Sequence, residues 1–307
     1  MKIFRSFDES SAIVNPVVTT GSFDGVHIGH KTILNRLKML AGKYNGESVL
    51  ITFDPHPRKV LYPETEGKNL RLINSQEEKI YLLNKEGLDN LIIIEFTSDF
   101  SKITSEEFVR DYLIGKLKAK VIVAGFNHHF GFNKEGDYRK LWELREKYNF
   151  EAEEIPEQEV EHESVSSTKI REAIREGYVQ RANAWLDHYY IVTGKPEKLN
   201  YRNNFYELSL AKIPCTEECK LLPAPGIYAV SINLESDVLK GMAIIDETSN
   251  GNCEVLLNIL EGAPLKYGKS ITISFHKKIQ GTINLADQPE SARRLKTART
   301  EISELIY

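Results

Sequence analysis

The sequence predicts an α/β protein in which a parallel sheet covered by helices is followed by a small antiparallel β-barrel and a C-terminal helix. Three observations lead there. Up to Ala184, short β-branched runs alternate with amphipathic stretches, as strands joined by helical crossovers do. Beyond it the period shortens to alternating strands separated by turn residues. In the tail, Leu295, Ala298, Ile302 and Leu305 recur at helical spacing behind Asp287 and Pro289. The change of period puts a domain boundary at 184/185, with residues 1–184 in the first domain and 185–307 in the second.

The strands expected in the first domain are 16–20, 48–53, 90–95 and 120–124, with a weaker one at 152–156. Between the first two, residues 31–43 place Ile33, Leu34, Leu37, Leu40 and Ala41 on one helical face, which makes a βαβ unit. Ser75-x-x-Glu78 and Thr104-x-x-Glu107 read as capping boxes whose helices turn Ile80 and Leu83, and Phe108 and Leu113, inward. The expected barrel strands are 205–210, 226–233, 240–245, 253–260 and 270–275.

Composition bounds the function. With 41% hydrophobic and 27% charged residues the chain is a soluble globular one, long enough for two cores. Lys plus Arg number 40 against 44 Asp plus Glu, so no overall positive field exists to hold nucleic acid, and a polyanion must meet a local site. Cys215, Cys219 and Cys253 form neither an even disulfide set nor a zinc signature. No long apolar run opens the chain, so neither a leader nor a membrane partner is expected, and the predicted location is the cytoplasm.

The first run that carries chemistry follows the first expected strand: Gly21-Ser22-Phe23-Asp24-Gly25-Val26-His27-Ile28-Gly29-His30. Its glycines allow close backbone approach, and the helix behind them offers unpaired N–H groups to an anion. His27 and His30 are three apart, so both rings project from one helical face toward one region, a suitable arrangement for a triphosphate. The bland alternative is a tight turn with surface or capping histidines. Neither a Walker loop nor a Gly-x-Gly-x-x-Gly fingerprint is present here.

The second is Ser166-Ser167-Thr168-Lys169-Ile170-Arg171, ahead of a helix that should stop at Gly177. Ser167 or Thr168 could serve only as an N-cap. That leaves a hydroxyl, Lys169 and Arg171 crowded where the helix dipole disfavours cations, a penalty that a bound polyphosphate reverses. Together the two runs supply donors and few nucleophiles. A phosphate monoester is largely ionised at pH 7, so as an attacking group it needs no base, only alignment with the α-phosphorus and charge stabilisation by donors and Mg2+. No covalent intermediate is assigned to Ser22, Ser166 or a cysteine.

At these residues the chain resembles the bacterial bifunctional riboflavin kinase/FMN adenylyltransferases, within the nucleotidyltransferases marked by His-x-Gly-His. Thr52-Phe53-Asp54-Pro55-His56-Pro57-Arg58 and Gly125-Phe126-Asn127-His128-His129-Phe130-Gly131 look like the family's other ordered segments. The resemblance implies a nucleotidyltransferase-type sheet and transfer of AMP from ATP to FMN, giving FAD and pyrophosphate with Mg2+. It implies catalytic roles for His27, His30 and Arg171, and ATP binding by Gly21, Phe23, Asp24, Gly29, Ser167 and Thr168. Asn127, Asp54 and Phe130 would meet the flavin, and no protein side chain is assigned to a metal. The partners are then small-molecule substrates. Independently of the family, the Asp54-Pro-His-Pro run also reads as a rigid strand exit.

The second domain resembles the riboflavin kinase module in layout, through Leu222–Val230 and Cys253-Glu254-Val255-Leu256. Its expected Gly-Phe-Pro-Thr-Ala-Asn and Asn-Ile-Gly-x-Arg-Pro-Thr motifs are replaced by Asn204-Phe205-Tyr206-Glu207-Leu208-Ser209 and Ile244-Ile245-Asp246-Glu247-Thr248-Ser249. Glu254, the would-be base, is what remains of the kinase site. The expectation is therefore a degenerate kinase module kept as a structural or flavin-binding domain. The alternatives are a fully bifunctional enzyme, transfer of a nucleotide to another phosphorylated acceptor, and a non-catalytic flavin or nucleotide sensor.

Overall fold

The computed structural model describes residues 1–126, 128–156, 159–160, 163–198, 209–215, 217, 219–234, 237–247, 253–260, 267–283 and 288–305. The chain forms two compact units, Met1–Leu70 with Lys79–Val165, and Arg71–Glu78 with Ser166–Tyr307.

In the first unit the order is β1 (Lys2–Phe4), β2 (Val17–Thr20), α1 (Ile28–Lys43), β3 (Ser48–Asp54), α2 (Pro57–Leu61), α3 (Gln76–Lys85), β4 (Asn90–Glu95), α4 (Ser105–Glu107), β5 (Val121–Gly125), α5 (Tyr138–Tyr148) and β6 (Glu151–Ile155). The first three residues of α3 group with the second unit, and α4 runs on as a π-helix over Phe108–Lys116. A two-strand ribbon, β7 (Glu159–Val160) and β8 (Glu163–Ser164), follows. The sheet order is β1-β4-β3-β2-β5-β6, and every neighbouring pair is parallel. Both faces are covered, so its strands read as continuous apolar runs: all of β2 is buried, as are the first five residues of β3.

The expected strands are present within a residue or so of their bounds, and the edge strand β1 is added. Helix α1 starts earlier than expected because His27 takes the N-cap position. Its Leu34, Leu37, Leu40 and Ala41 are buried, as the periodicity requires. Both capping boxes form: Ser75 Oγ accepts from Glu78 N at 3.2 Å while Glu78 Oε2 accepts from Ser75 N at 2.9 Å, and Thr104 and Glu107 do the same.

Strand order fixes where a ligand can enter. From β2 the chain moves one way to β3 and β4, and later the other way to β5 and β6, so the order reverses between β2 and β5. Loops leaving the C-terminal ends of two such strands diverge and open a crevice. Those loops are Gly21–His27 and the stretch after Gly125.

The second unit opens with α6 (Ser167–Glu176) and α7 (Val179–Leu186). Then come β9 (Tyr190–Gly194), β10 (Glu197–Lys198), β11 (Leu210–Ile213), β12 (Gly226–Asn233), β13 (Val238–Glu247), β14 (Cys253–Ile259), β15 (Ile271–Gln280) and α8 (Gln288–Glu304). The seven strands form one antiparallel sheet, β10-β11-β14-β13-β12-β15-β9. Its edge strands β9 and β10 are separated by only Lys195 and Pro196. A flat sheet of this width would hold its edges roughly 29 Å apart, at about 4.8 Å per strand. The link reaches roughly 10 Å, so the sheet curls into a half-barrel. Gly194 permits the approach, since a Cβ there would stand 2.6 Å from Pro214 O.

Leu295, Ala298 and Ile302 of α8 are fully buried against Ile227, Met242, Ile244 and Leu256, which bears out the closing helix. Gly177 ends α6 at φ 84°, as expected. Residues 205–208 of one expected strand lie outside the described residues, and the strand present is β11.

Candidate active site

The turn between β2 and α1 is built under backbone strain. Phe23 (φ 47°), Gly25 (φ 94°) and Val26 (φ 43°) all lie in the left-handed region. For a β-branched valine that is a costly conformation, held here by complete burial of its side chain. Gly21 N continues the parallel ladder to Ile51 O at 3.0 Å, and Val26 N closes on Phe23 O at 3.2 Å. The chain is thereby swung round so that His27 enters α1 as its N-cap, with Lys31 N bonded to His27 O at 3.0 Å.

Three rings stack behind this turn. Phe23 and His30 lie 4.3 Å apart between centroids, His27 and His30 3.7 Å, each near-parallel. Gly29 makes the room, because a Cβ there would meet the His27 ring at 3.3 Å. Burial, then His27, then Lys79 hold the His30 pKa well below the usual imidazole range. His30 is thus neutral at pH 7, with one donor and one acceptor nitrogen. Its Nδ1 is closed to solvent and has no hydrogen-bond partner among the described residues. Asp24 is 1% exposed in the same turn.

The loop after β5 is the other lip of the crevice. His128 Nε2 lies 2.9 Å from Thr20 Oγ1 at the end of β2, and the His128 ring stacks on Phe130 with centroids 5.9 Å apart. Burial, helped by His129, pushes the His128 pKa down to about 4. Phe130 in turn packs on Phe108 and the sheet core. Asn127 lies outside the described residues. Asp54, exposed at the end of β3, precedes a cis peptide to Pro55.

In the second unit the cap of α6 is Ser166, whose Oγ accepts from Lys169 N at 3.4 Å. The bland alternative, in which Ser167 or Thr168 serves only as the cap, does not hold: both are inside the first turn, where their hydroxyls and N–H groups stay near the positive end of the dipole. Arg171 is 6% exposed on the buried face of the same helix. Glu254, on β14, pairs with Lys212 of β11 at 2.8 Å. Beside it, burial raises the Asp246 carboxyl above its ordinary range against an opposing hydrogen bond from the Glu247 backbone, and the Glu254 and Glu247 charges add to the rise.

The structure therefore brings Gly21, Phe23, Asp24, His27, Gly29 and His30 into one turn, and Ser167, Thr168 and Arg171 into one helix start. Sequence reasoning missed Lys79, 5% exposed and acting on His30, and His128. Lys79 carries no local signal, sitting inside a helix chosen only for its cap. His128 lies within a segment already singled out.

A family model described as FAD synthetase matches residues 10–169, and one described as riboflavin kinase matches residues 186–297. A bifunctional riboflavin kinase/FMN adenylyltransferase of Listeria monocytogenes is 30% identical over 268 residues, covering 87% of this chain and 81% of that protein. The chain belongs to the bifunctional riboflavin kinase/FMN adenylyltransferase family. The Escherichia coli K12 member is 26% identical over 309 residues, covering 99% and 96% of the two chains. The crystal structure of a protein named macrolide-efflux protein, from Streptococcus pneumoniae, matches with a TM-score of 0.87 at 25% identity and 99% coverage of both chains. Among the described residues no helix is long and apolar enough to cross a membrane. As a member of this family the chain is an enzyme carrying both modules, FAD synthetase and riboflavin kinase. This favours the fully bifunctional alternative over the degenerate-kinase expectation.

Proposed function

We propose that the first module transfers AMP from ATP to FMN and that the second makes this FMN by phosphorylating riboflavin, both in the cytoplasm. The observation that carries the transfer is the stacked imidazole pair in a strained glycine turn at the β2/β5 reversal. The neutral His30 imidazole and helix N–H groups donate to phosphate oxygens without needing to lose protons, which suits an acceptor already ionised. An FMN phosphate oxygen attacks the α-phosphorus, the bond to the β-phosphate oxygen breaks, and pyrophosphate leaves with the electron pair. Ser167, Thr168 and Arg171 are assigned to the outer phosphates, where a guanidinium offsets departing charge. Of the residues in the turn, Asp24 is the carboxylate that would hold a magnesium ion brought with the phosphates. When bound, that ion neutralises the phosphate oxygens.

A second reading keeps the transfer and drops the kinase. It is favoured by the Glu254 carboxylate, tied to Lys212 rather than offered to a substrate hydroxyl, and by the replaced motif along β13. One assay decides. Purified protein with Mg2+ and ATP is given FMN in one tube and riboflavin in another, and flavins and pyrophosphate are quantified. FAD and pyrophosphate in equal amounts are expected from the first, FMN then FAD from the second. Neither FMN nor FAD in the second tube selects the narrower reading, and no FAD in the first sinks both. His30→Ala should lower FAD formation by about 100-fold or more, the scale of losing one oxyanion donor.

A further inference from the structure

One polar contact at the mouth of the crevice is not used by the transfer just described. Backbone pairing of β2 with β5 covers only Val17 with Val121 and Val18 with Ile122. Above that the two strands are joined by hydroxyls. Thr19 Oγ1 donates to Val123 O at 2.8 Å, and Thr20 Oγ1 meets His128 Nε2 at 2.9 Å. Thr20 is the last residue of β2 and 7% exposed, while His128 lies three residues past the end of β5, so their bond spans the point of reversal.

The imidazole is held on its other side too. It stacks on Phe130, interplanar angle 19°, and Phe130 exchanges two backbone hydrogen bonds of 2.9 Å with Gly136. His128 N bonds Gly125 O at 3.0 Å, closing the turn. A phenyl ring at position 128 would keep the stack and lose the bond to Thr20. Since burial keeps the ring neutral at pH 7, the contact is an ordinary hydrogen bond, whose effect is to fix geometry.

We propose that His128 is a positioning residue for the transfer: through Thr20 it fixes the loop after β5 against the glycine turn, so that the phosphorylated acceptor faces the α-phosphorus. The inference rests on the proposed adenylyl transfer. The β2 lip holds the imidazoles that meet the donor's phosphates, and the β5 lip facing it is left for the second reactant. A shift of a fraction of an ångström there misaligns an in-line attack.

The test is a double-mutant cycle of Thr20→Val and His128→Phe, with His128→Gln as the conservative variant, read by steady-state kinetics and melting temperature. Each single substitution should lower kcat/KM for FMN about tenfold, leave KM for ATP and the melting temperature near the parent values, and add nothing to the other. His128→Gln, able to reach Thr20, should recover most of the loss. Parent-like kcat/KM in His128→Phe, or losses that multiply to about a hundredfold in the double variant, would overturn the proposal. If the parent protein forms no FAD, the transfer reading fails by itself. FMN affinity from flavin fluorescence across the same four proteins then decides the positioning role, coupled weakening supporting it and independent or absent effects refuting it.

Discussion

His30 sits where charge is disfavoured, buried and next to a second imidazole and a lysine. His128 is a parallel case with a different use, and its titration can be followed. Its folded pKa of about 4 lies below the ordinary 6.5, so between those values the unfolded chain binds the proton more tightly. The His128 contribution, about 3 kcal/mol, is complete above pH 6.5 and disappears as pH falls toward 4. His276, also lowered to about 4 by burial, titrates in the same window, so the comparison must be between proteins. We expect the parent chain to lose more stability than His128→Phe when urea unfolding is repeated at pH 7, 6, 5 and 4.5. Identical pH profiles would show that His128 is not buried neutral. From the sequence, the glycine spacing and the histidine pair are what suggest the proposed phosphate site. The stacking of Phe23, His30 and His27 depends on a positive φ at Phe23 and Val26, which no residue-type preference predicts.

At the scale of elements, the segment Arg71–Glu78 is the feature that local pattern could not reveal. Lys220 Nζ donates to Glu78 Oε2 at 2.6 Å, to Ile73 O at 2.5 Å and to Ile191 O at 2.8 Å. It also lies over the Tyr190 ring at 4.3 Å. Glu78 Oε1 accepts from Thr193 N at 2.8 Å, and Leu72 exchanges backbone bonds with Cys219 and Leu221 at 2.7 Å. The pair is almost fully removed from water, with side-chain exposures of 2% and 1%, and its bonding needs are met. Removing one partner strands the other charge, so Lys220→Met should cost about 3–5 kcal/mol, whereas Lys220→Met with Glu78→Leu should recover much of that. Chemical denaturation of the parent and the two variants measures this. Equal costs for single and double changes would contradict the buried-charge argument. The capping box that includes Glu78 was legible because its partner is three residues away. Thr193 and Lys220 are more than a hundred residues distant, and only the fold brings them to it. The strand Tyr190–Gly194 differs, since its β-branched run was there to be read and the periodicity reading passed over it.

For the whole molecule, sequence matching and compactness divide the chain differently, and the difference can be tested. The riboflavin kinase model begins at residue 186, yet the unit holding that sheet includes α6, α7 and Arg71–Glu78. Each supplies polar partners to the sheet or to the segment leading into β12. Asn183 donates to Phe275 O at 2.9 Å and accepts from Tyr190 N at 2.7 Å, and Ala224 N bonds Ile174 O at 3.2 Å. A fragment of residues 186–307 loses all of these and leaves Lys220 with Ile191 O alone of its three hydrogen-bond acceptors, a buried cation without its carboxylate. Such a fragment should show no cooperative thermal transition by circular dichroism. Residues 166–307, which regain both helices, should melt weakly, and Lys220→Met in that longer fragment should sharpen the transition by removing the stranded charge. The order of the three, rather than any one of them, carries the test. A sharp melt already present in 186–307 would mean that the curled sheet and α8 suffice for folding, and that the buried pair is dispensable to the module.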